Sequence, residues 1–388
     1  MRIESNDPDA VIAEVAGAVR LHEGPAGVRD VIRAIVRHEP VAVREISRHA
    51  ELPVPLVTAV CNELRTRGVV ARERPVQLTE AGRRAFATPE LRLATWCPTC
   101  DGRRLVLPEE LAPLVAELTE LAAAEPQARV DIDQTHCTVD SKVRRVLLMA
   151  DAGALDRRVV FIGDDDLTSL ALARFGMLAG ARPTPITVVD VDPDLLAFIG
   201  KHARNWGADL ELVEHDVTKP LPESLRGEFH VAFTDPPYTV PGAELFLSRA
   251  VSALVPTGGQ HLFFAFGGRR PDETNLVQSI IAGMGLAIRS LQPNFNEYEG
   301  AGILAGTSHL YHLRSTDGTV PAIEGVHTGP LYTADTRAVR ARPYRCAGCK
   351  NVVMVGPGQQ WPQIARLKES GCPQCGAGTF RPLPLTVR

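Results

Sequence analysis

The feature of this 388-residue chain that most constrains its fold is a short apolar run, Val159 to Ile162, followed directly by a glycine and three aspartates. Such a run, bounded by a turn, is typical of a buried parallel strand. Gly163 ends the run, and from Leu167 onward apolar residues recur at helical spacing. A strand, a tight turn and a helix in this order form the opening unit of a nucleotide-binding α/β domain. The stretch therefore predicts a mostly parallel sheet.

The turn carries an unusual charge, because Asp164, Asp165 and Asp166 are consecutive. Loops at this place usually offer N–H groups and a helix N-terminus to an anion. Two unit charges 4 Å apart interact by roughly 4 kcal/mol at an effective dielectric near 20, so three carboxylates here repel an anion and attract a cation. One aspartate could be only a helix cap favoured by the helix dipole, but three exceed that need. We expect a ligand that carries an amine.

Further strand and helix patterns alternate after this unit. Two strand patterns at the end could pair as a closing hairpin. This arrangement resembles the Rossmann-like, seven-stranded sheet of class I methyltransferases and aminopropyltransferases, so we predict an α/β fold. The strands are predicted at 158–162, 185–192, 210–213, 230–235, 260–266, 287–293 and 308–313.

Acidic side chains follow two of these predicted strands. Asp190 and Asp192 end the second strand, where an acid is placed to accept hydrogen bonds from ribose hydroxyls. Asp216 follows the third strand, where it could meet the amino group of an adenine. These positions predict a nucleoside site at the carboxyl edge of the sheet.

A proline-rich turn, Asp235-Pro236-Pro237-Tyr238, follows the fourth strand. It resembles the Asp-Pro-Pro-Tyr signature of amino-methyltransferases, which accepts hydrogen bonds from a target amine and stacks a ring on it. Any nitrogen that attacks a sulfonium needs an acceptor for its proton and a wall that excludes water. The alternative is a strand-ending turn that happens to contain two prolines.

The first 90 residues carry helical patterns followed by a hairpin pattern, an order that resembles a winged helix-turn-helix domain. In such a domain the third helix enters the DNA major groove, and here it carries Asn62, Arg65 and Arg67. The alternative is a small module for dimerisation or for covering substrate. Because the formal net charge is −4, no global basic field favours nucleic acid. We expect no nucleic-acid partner.

Cysteine spacing predicts a metal site near the C-terminus. Cys346 and Cys349 form one Cys-x-x-Cys pair, and Cys372 and Cys375 form another. This pattern is close to that of a four-cysteine zinc ribbon with structural zinc. A third pair, Cys97 and Cys100, is either half of a ribbon that joins one C-terminal pair or a pair of free thiols.

No N-terminal run resembles a signal peptide, and no apolar stretch approaches the length of a membrane span. We therefore expect a cytoplasmic protein without a membrane partner. We also expect a homodimer.

Several motifs together resemble the branched-chain polyamine synthases, bis-aminopropyltransferases that build N4-bis(aminopropyl)spermidine. The resemblance covers about residues 27–313, and that family pairs a winged-helix domain with a Rossmann-like catalytic domain. The tail from about Val320, with its zinc ribbon, is not a feature of the basic form of the family. The motifs are Gly163-Asp-Asp-Asp-Leu-Thr-Ser, Asp133-Gln134, Val143-Arg-Arg-Val, Asp235-Pro-Pro and Asn294-Phe-Asn-Glu-Tyr298.

The resemblance implies decarboxylated S-adenosylmethionine as donor and a spermidine-like polyamine as acceptor. The acidic turn agrees, because this donor lacks a carboxylate and its aminopropyl arm ends in an ammonium. Asp165 would orient and deprotonate the secondary amine. Asp164 and Asp166 would hold ammonium groups or position the donor. Asp164 and Asp235 are implied as catalytic residues beside Asp165. The other residues implied for substrate binding are Gly163, Asp133, Gln134, Asp190, Asp192, Asp216, Pro236, Pro237, Tyr238, Glu297 and Tyr298.

The predicted organisation has four parts. Residues 1–90 form the winged-helix domain, 91–137 a linker with one cysteine pair, 138–318 the catalytic domain and 319–388 the zinc-ribbon extension. Two other functions stay open. One is a nucleic-acid amino-methyltransferase that uses S-adenosylmethionine, and the other is a non-catalytic regulator that senses polyamines.

Overall fold

The computed structural model describes residues 7–50, 52–86, 105–181, 185–208, 210–268, 270–299, 306–333, 342–355, 359–361 and 364–383. The chain divides into two compact units, Met1–Tyr332 and Thr333–Arg388. Residues 316–332, which follow the last strand of the larger sheet, therefore belong to the first unit. Cys97 and Cys100 lie outside the described residues.

The first unit begins with five helices around a core of valine, isoleucine and leucine side chains. Two antiparallel bridges accompany these helices: Val41, which precedes the third helix, pairs with Val76, and Val70 pairs with Leu78 after the fourth helix. The helices are α1 (Pro8–Val19), α2 (Gly24–His38), α3 (Val43–Ala50), α4 (Val54–Thr66) and α5 (Glu80–Phe86).

Two further helices precede the sheet, α6 (Ala112–Ala123) and α7 (Val139–Asp151). The Thr138 hydroxyl accepts a hydrogen bond from the Ser141 N–H and caps α7, as threonine commonly does at this position. The apolar residues of α6 and α7 pack into one core with the strands that follow. This packing fixes α7 against the edge of the sheet where the first strand ends.

A seven-stranded sheet forms the centre of the first unit, with strand order β3-β2-β1-β4-β5-β7-β6. Strands β1 to β5 are parallel, and β7 runs antiparallel to both β5 and β6. The predicted α/β fold and its closing hairpin are confirmed. The strands are β1 (Val159–Ile162), β2 (Ile186–Asp190), β3 (Leu210–Glu214), β4 (Val231–Thr234), β5 (His261–Gly267), β6 (Leu286–Glu297) and β7 (Thr307–Ser315).

Helices cover both faces of this sheet. Alternate residues of β1 enter different cores, Val159 and Phe161 one, Val160 and Ile162 the other, because side chains alternate across a strand. The strand order reverses between β1 and β4, and in open α/β sheets ligands bind at the carboxyl ends beside such a point. The covering helices are α8 (Thr168–Leu178), α9 (Pro193–Trp206), α10 (Val240–Ala253) and α11 (Pro271–Gly283).

The second unit is small and has its own core. Its three-stranded antiparallel sheet has the order β10-β8-β9. Its elements are β8 (Arg342–Cys346), β9 (Val352–Val355), α12 (Ile364–Ser370) and β10 (Phe380–Pro382). Across the described part of both units, no helix combines the length and the apolar character needed to cross a membrane.

Candidate active site

A cavity lies beyond the carboxyl ends of β1, β2, β3 and β4, beside the point where the strand order reverses. Loops from different parts of the chain line it, as the sequence predicted for the carboxyl edge of the sheet. Five carboxylates face it, so it attracts cations. Among the predicted site residues, the lining includes Asp133, Gln134, Gly163, Asp165, Asp190, Asp216, Asp235 and Pro237.

Arg145 of α7 is completely buried, and its hydrogen bonds connect several residues of this site. Its Nη1 donates to an Asp166 carboxylate oxygen at 2.5 Å, and its Nη2 donates to Asp235 Oδ2 at 2.7 Å. Its Nε donates to Asn296 Oδ1 at 2.7 Å, and Nη2 also lies 3.0 Å from the Tyr298 hydroxyl. A guanidinium has five N–H donors in a fixed fork, which suits this convergence of acceptors.

Asp235 accepts hydrogen bonds from two tyrosines as well as from Arg145. Tyr298 donates to its Oδ2 at 2.6 Å, and Tyr238 donates to its Oδ1 at 3.0 Å. Burial raises the pKa of Asp235 to about 6, although Arg145 opposes the rise. The two rings meet edge to face, with their centroids 6.2 Å apart. Both rings therefore pack beside one carboxylate, and we call this pair of rings the aromatic wall.

The Tyr238 ring needs a glycine on the neighbouring strand. A Cβ atom on Gly267, at the end of β5, would lie 2.6 Å from this ring. Real Cβ atoms are never that close to another heavy atom, so a side chain here would displace the ring. Gly267 therefore positions the aromatic wall.

The three aspartates of the acidic turn make different contacts. Asp164 is buried and faces the start of α8, where its carboxylate accepts from the Thr168 N–H at 2.8 Å and from the Ser169 N–H at 3.1 Å. Burial raises the pKa of Asp164 to about 8, and the bonds from Ser169 oppose this. Asp164 thus caps the helix and is separated from the cavity.

Asp166 is also buried, and it faces α7. Its Oδ1 accepts from the Cys137 N–H at 2.5 Å, and its Oδ2 accepts from Arg145. Burial alone would raise the pKa of Asp166, but the positive charges of Arg145 and Lys142 hold it below its usual value. Asp166 is therefore an ionised anchor for Arg145.

Asp165 is the member of the turn that lines the cavity, and it is partly exposed there. Its Oδ2 accepts from the Thr135 N–H at 3.0 Å. Burial raises the pKa of Asp165 well above its usual value, and the nearby charges of Asp166, Asp235 and Asp190 raise it further. A carboxylate with a raised pKa can take up and hold a proton at neutral pH, as a general base must.

The acids predicted for the nucleoside also lie at the cavity, with one exception. Asp190 lines it and accepts from the N–H groups of Asp164, at 3.1 Å, and Asp192, at 2.9 Å. Asp216 lines it and accepts from the Thr218 N–H at 3.0 Å. The Asp192 carboxylate caps α9 instead. It also accepts from the Gln134 amide at 3.3 Å.

Glu297 and Tyr298 are adjacent in sequence but their side chains have different surroundings. Tyr298 lies in the hydrogen-bond cluster of Asp235. The Glu297 carboxylate lies 3.5 Å from Arg48 of α3, and its carbonyl accepts from the Thr138 N–H at 2.7 Å. Glu297 thus contacts the N-terminal helices and the cap of α7.

Arg145 and Asn296 are the functional residues for which sequence reasoning assigned no role, although both lie in motifs that it singled out. Arg145 lies in α7 among Val143, Val146 and Met149, all of which are completely buried. An arginine on an apolar helix face needs buried acids as partners. That signal could have shown that Arg145 has buried acidic partners, although not which ones.

The four C-terminal cysteines come together in the second unit. Their sulfur atoms all lie within 4.8 Å of one another. Cys346 and Cys375 are 3.5 Å apart, and Cys349 and Cys372 are 3.6 Å apart. Four thiolates at about 2.3 Å from a tetrahedral zinc ion would be separated by about 3.8 Å, so the cluster is compatible with zinc.

Comparison with known proteins identifies the family. A family model described as the branched-chain polyamine synthase A C-terminal domain matches residues 113–316. An uncharacterised protein of Methanocaldococcus jannaschii is 34% identical over 96% of this chain and 92% of its own. The N(4)-bis(aminopropyl)spermidine synthase of Thermococcus kodakarensis is 34% identical over 66% of this chain and 74% of its own.

A solved structure agrees. The branched-chain polyamine synthase of Thermus thermophilus, in complex with N4-aminopropylspermidine and 5'-methylthioadenosine, superimposes with a TM-score of 0.66 at 26% identity. The match covers 84% of this chain and 98% of that one. This chain belongs to the branched-chain polyamine synthase family.

Proposed function

We propose that this protein is an aminopropyltransferase. It moves aminopropyl groups from decarboxylated S-adenosylmethionine to the secondary amine of a spermidine-like polyamine and releases methylthioadenosine. The observation that carries the proposal is the carboxylate-lined cavity, in which Asp165 and Asp235 face one space. The Thermus thermophilus relative supports it, because its structure holds a branched polyamine and methylthioadenosine.

The charge of the cavity favours these substrates. Five acidic residues line it, and a polyamine is a chain of ammonium groups. The decarboxylated donor ends in an ammonium, whereas S-adenosylmethionine carries a carboxylate that this cavity would repel. The same carboxylates therefore select both the donor and the acceptor.

Asp165 is proposed to prepare the nucleophile. It removes one proton from the protonated secondary amine, and the freed lone pair attacks the carbon next to the sulfonium. A nitrogen–carbon bond forms while the carbon–sulfur bond breaks, and its electron pair stays on sulfur. The product is a tertiary ammonium and a neutral thioether. The raised pKa of Asp165 lets it keep the proton during the displacement.

The Asp235 cluster is proposed to orient the acceptor. Its carboxylate is shared among Arg145, Tyr238 and Tyr298, so it stays fixed while the tyrosine rings exclude water. Holding two reactants in line can contribute roughly 7 to 11 kcal/mol to a displacement. Pro236 and Pro237 stiffen the turn that carries this cluster.

Asp164 and Asp166 are proposed to act indirectly. Both carboxylates bind the protein itself, Asp164 at the start of α8 and Asp166 at Arg145. They shape the turn so that Asp165 faces the cavity. On the other side, Asp190 is proposed to bind ribose hydroxyls and Asp216 the adenine amino group, while Asp133 and Gln134 complete the wall.

We further propose that Cys346, Cys349, Cys372 and Cys375 hold a structural zinc ion. Their four sulfurs fit a tetrahedral site. Zinc binding would stabilise the fold of this unit, which is too small to build a large hydrophobic core. Cys97 and Cys100 lie outside the described residues, so their part in a metal site stays a prediction.

The N-terminal helices are proposed to form a winged helix that supports the catalytic domain. The side chains that could contact DNA in such a domain contact the protein itself, since Arg65 donates to the Ala71 carbonyl and to Asn62. Arg67 forms ion pairs with Glu63 and Glu14. This use of the basic side chains disfavours nucleic acid as a partner.

The homodimer and the cytoplasmic location stay predictions.

A paired incubation tests the function. Purified protein and spermidine receive decarboxylated S-adenosylmethionine in one tube and S-adenosylmethionine in the other, and mass spectrometry follows the products. We expect methylthioadenosine and a gain of one or two aminopropyl units in the first tube only. Methylation in the second tube, or no product in either, would refute the proposal.

A further inference from the structure

Residues 316–332 follow β7 without regular secondary structure, yet hydrogen bonds hold them to the first unit. We call these residues the strap. Thr319 Oγ1 donates to the Gly285 carbonyl at 2.8 Å, and the Val320 N–H donates to the Met284 carbonyl at 3.0 Å. Long irregular segments in compact domains usually carry function. The strap begins where the match to the family model ends.

Arg249 of α10 fixes the middle of the strap. Its side chain is buried, with 1% exposed, and its Nη1 and Nη2 donate to the carbonyls of Ile323 and Gly325, both at 2.7 Å. Its Nε donates to the Val217 carbonyl at 2.8 Å, and Nη2 lies 3.3 Å from that of Thr218. One buried guanidinium therefore joins the strap to the loop after β3.

That loop forms part of the cavity. Val217 and its neighbour Asp216 line the space proposed for the adenine. The His327 N–H of the strap donates to the Thr218 carbonyl at 2.7 Å, which makes a second link between strap and loop. A buried charge costs several kcal/mol unless its hydrogen bonds are satisfied. Because Arg249 donates to carbonyls of both the strap and the loop after β3, it holds these two segments at a fixed separation.

The end of the strap reaches the cavity itself. Thr239, the cap of α10, donates its hydroxyl to the Leu331 carbonyl at 2.6 Å. Leu331 is buried in the core, with 3% exposed. The next residue, Tyr332, lines the same cavity as Asp216 and Asp190. The strap thus brings an aromatic residue to the cavity.

We propose that the strap closes the nucleoside side of the cavity, with Tyr332 contacting the adenosine group of the donor and Arg249 as the positioning residue that aligns strap and loop. The inference rests on the proposed function, because it takes methylthioadenosine as the leaving product. An aromatic ring beside a purine provides a stacking surface. Because the strap is already held at both ends, binding of the donor loses little conformational entropy in the strap.

The test measures the donor and the acceptor separately. Tyr332→Ala is expected to raise KM for decarboxylated S-adenosylmethionine, and Kd for methylthioadenosine in calorimetry, by roughly tenfold. The KM for the polyamine and kcat are expected to stay within about twofold, because the proposed contact of the ring is with the adenosine group of the donor. Tyr332→Phe keeps the ring and is expected to bind methylthioadenosine nearly as wild type does.

Two further variants complete the test. Val326 lies on the strap with 62% of its surface exposed, and Val326→Ala is expected to leave all constants unchanged. Arg249→Met is expected to raise KM for the donor as Tyr332→Ala does, with kcat less affected. If it fails to fold, the Tyr332 variants still decide the matter.

The outcomes separate the two proposals. Wild-type turnover combined with unchanged methylthioadenosine affinity in Tyr332→Ala would overturn the role of the strap and leave the function intact. A wild-type protein that neither binds methylthioadenosine nor transfers aminopropyl groups would overturn both. Selective loss of donor affinity would support both.

Discussion

At the residue scale, the three adjacent aspartates of the acidic turn make three different sets of contacts. Asp164 binds two helix N–H groups, Asp166 binds Arg145, and Asp165 faces the cavity. The turn is tight, because Gly163 and Leu167 at its two ends both have left-handed backbone, with φ angles of +76° and +54°. Glycine adopts this conformation readily, which explains its place at the end of β1.

The pKa of Asp164 makes stability depend on pH. Its pKa in the folded state is raised to about 8, so the folded protein binds more protons than the unfolded chain between about pH 4 and pH 8. This carboxyl therefore opposes folding increasingly as pH rises through that window. Asn at this position keeps an oxygen for the helix N–H groups but does not titrate.

We therefore expect Asp164→Asn to gain thermal stability relative to wild type as pH increases from 5 to 9. Differential scanning calorimetry of both proteins at several pH values measures the difference in Tm. A constant difference across this range would contradict the raised pKa.

At the element scale, α7 connects the parts of the active site. Its buried Arg145 contacts the acidic turn, the turn after β4 and the end of β6. The strands were predicted to within a few residues, because buried parallel strands are short apolar runs between turns. The partners of Arg145 could not be predicted individually, since they lie up to 153 positions away in the sequence.

Replacing Arg145 should destabilise the protein strongly. Arg145→Met leaves two buried carboxylates, Asp166 and Asp235, without their cation, and such a loss typically costs about 3 to 5 kcal/mol. Urea unfolding measures the change in the free energy of unfolding. Arg158→Met is the matched control, because Arg158 forms an exposed pair with Glu228 and its loss should cost about 1 kcal/mol or less. Equal costs for both variants would contradict the central position of Arg145.

The position of the aromatic wall depends on Gly267 at the end of β5, and this gives a second prediction at this scale. Gly267→Ala places a methyl group against the Tyr238 ring, whereas Gly268→Ala has 3.6 Å to its nearest neighbour, His309. We expect the first substitution to lower kcat/KM by about tenfold or more, because small misplacements of reactive groups have large kinetic effects. The second should have little effect. Steady-state kinetics compares them, and similar rates would show that Tyr238 needs no such space.

At the scale of the whole molecule, the chain joins a synthase-like first unit to a cysteine-bearing second unit. The family model ends at residue 316, while the uncharacterised Methanocaldococcus jannaschii relative matches over 96% of the chain. The sequence predicted the four-cysteine cluster, because ligand spacing is a local pattern. It did not predict that residues 319–332 belong to the first unit, since this depends on carbonyl contacts with Arg249 that leave no sequence pattern.

We expect one zinc ion per chain. Mass spectrometry of metal content should give one equivalent for wild type and for Cys61→Ala, since Cys61 is buried among the N-terminal helices. Cys346→Ser or Cys372→Ser should lose the ion, because three thiolates bind zinc more weakly than four. A wild-type protein purified without chelators and free of zinc would contradict the assignment.

The central claim is that Asp165 in the acidic cavity drives aminopropyl transfer to a secondary amine. The most direct measurement is mass spectrometry of the polyamine product when wild type and Asp165→Asn are incubated side by side with spermidine and decarboxylated S-adenosylmethionine. The surface variant Asp156→Asn is the control. We predict one or two added aminopropyl units with wild type and the control. For Asp165→Asn we predict a rate lower by about 10² to 10⁴-fold, with an unchanged circular dichroism spectrum. Wild-type rates in Asp165→Asn would contradict the account.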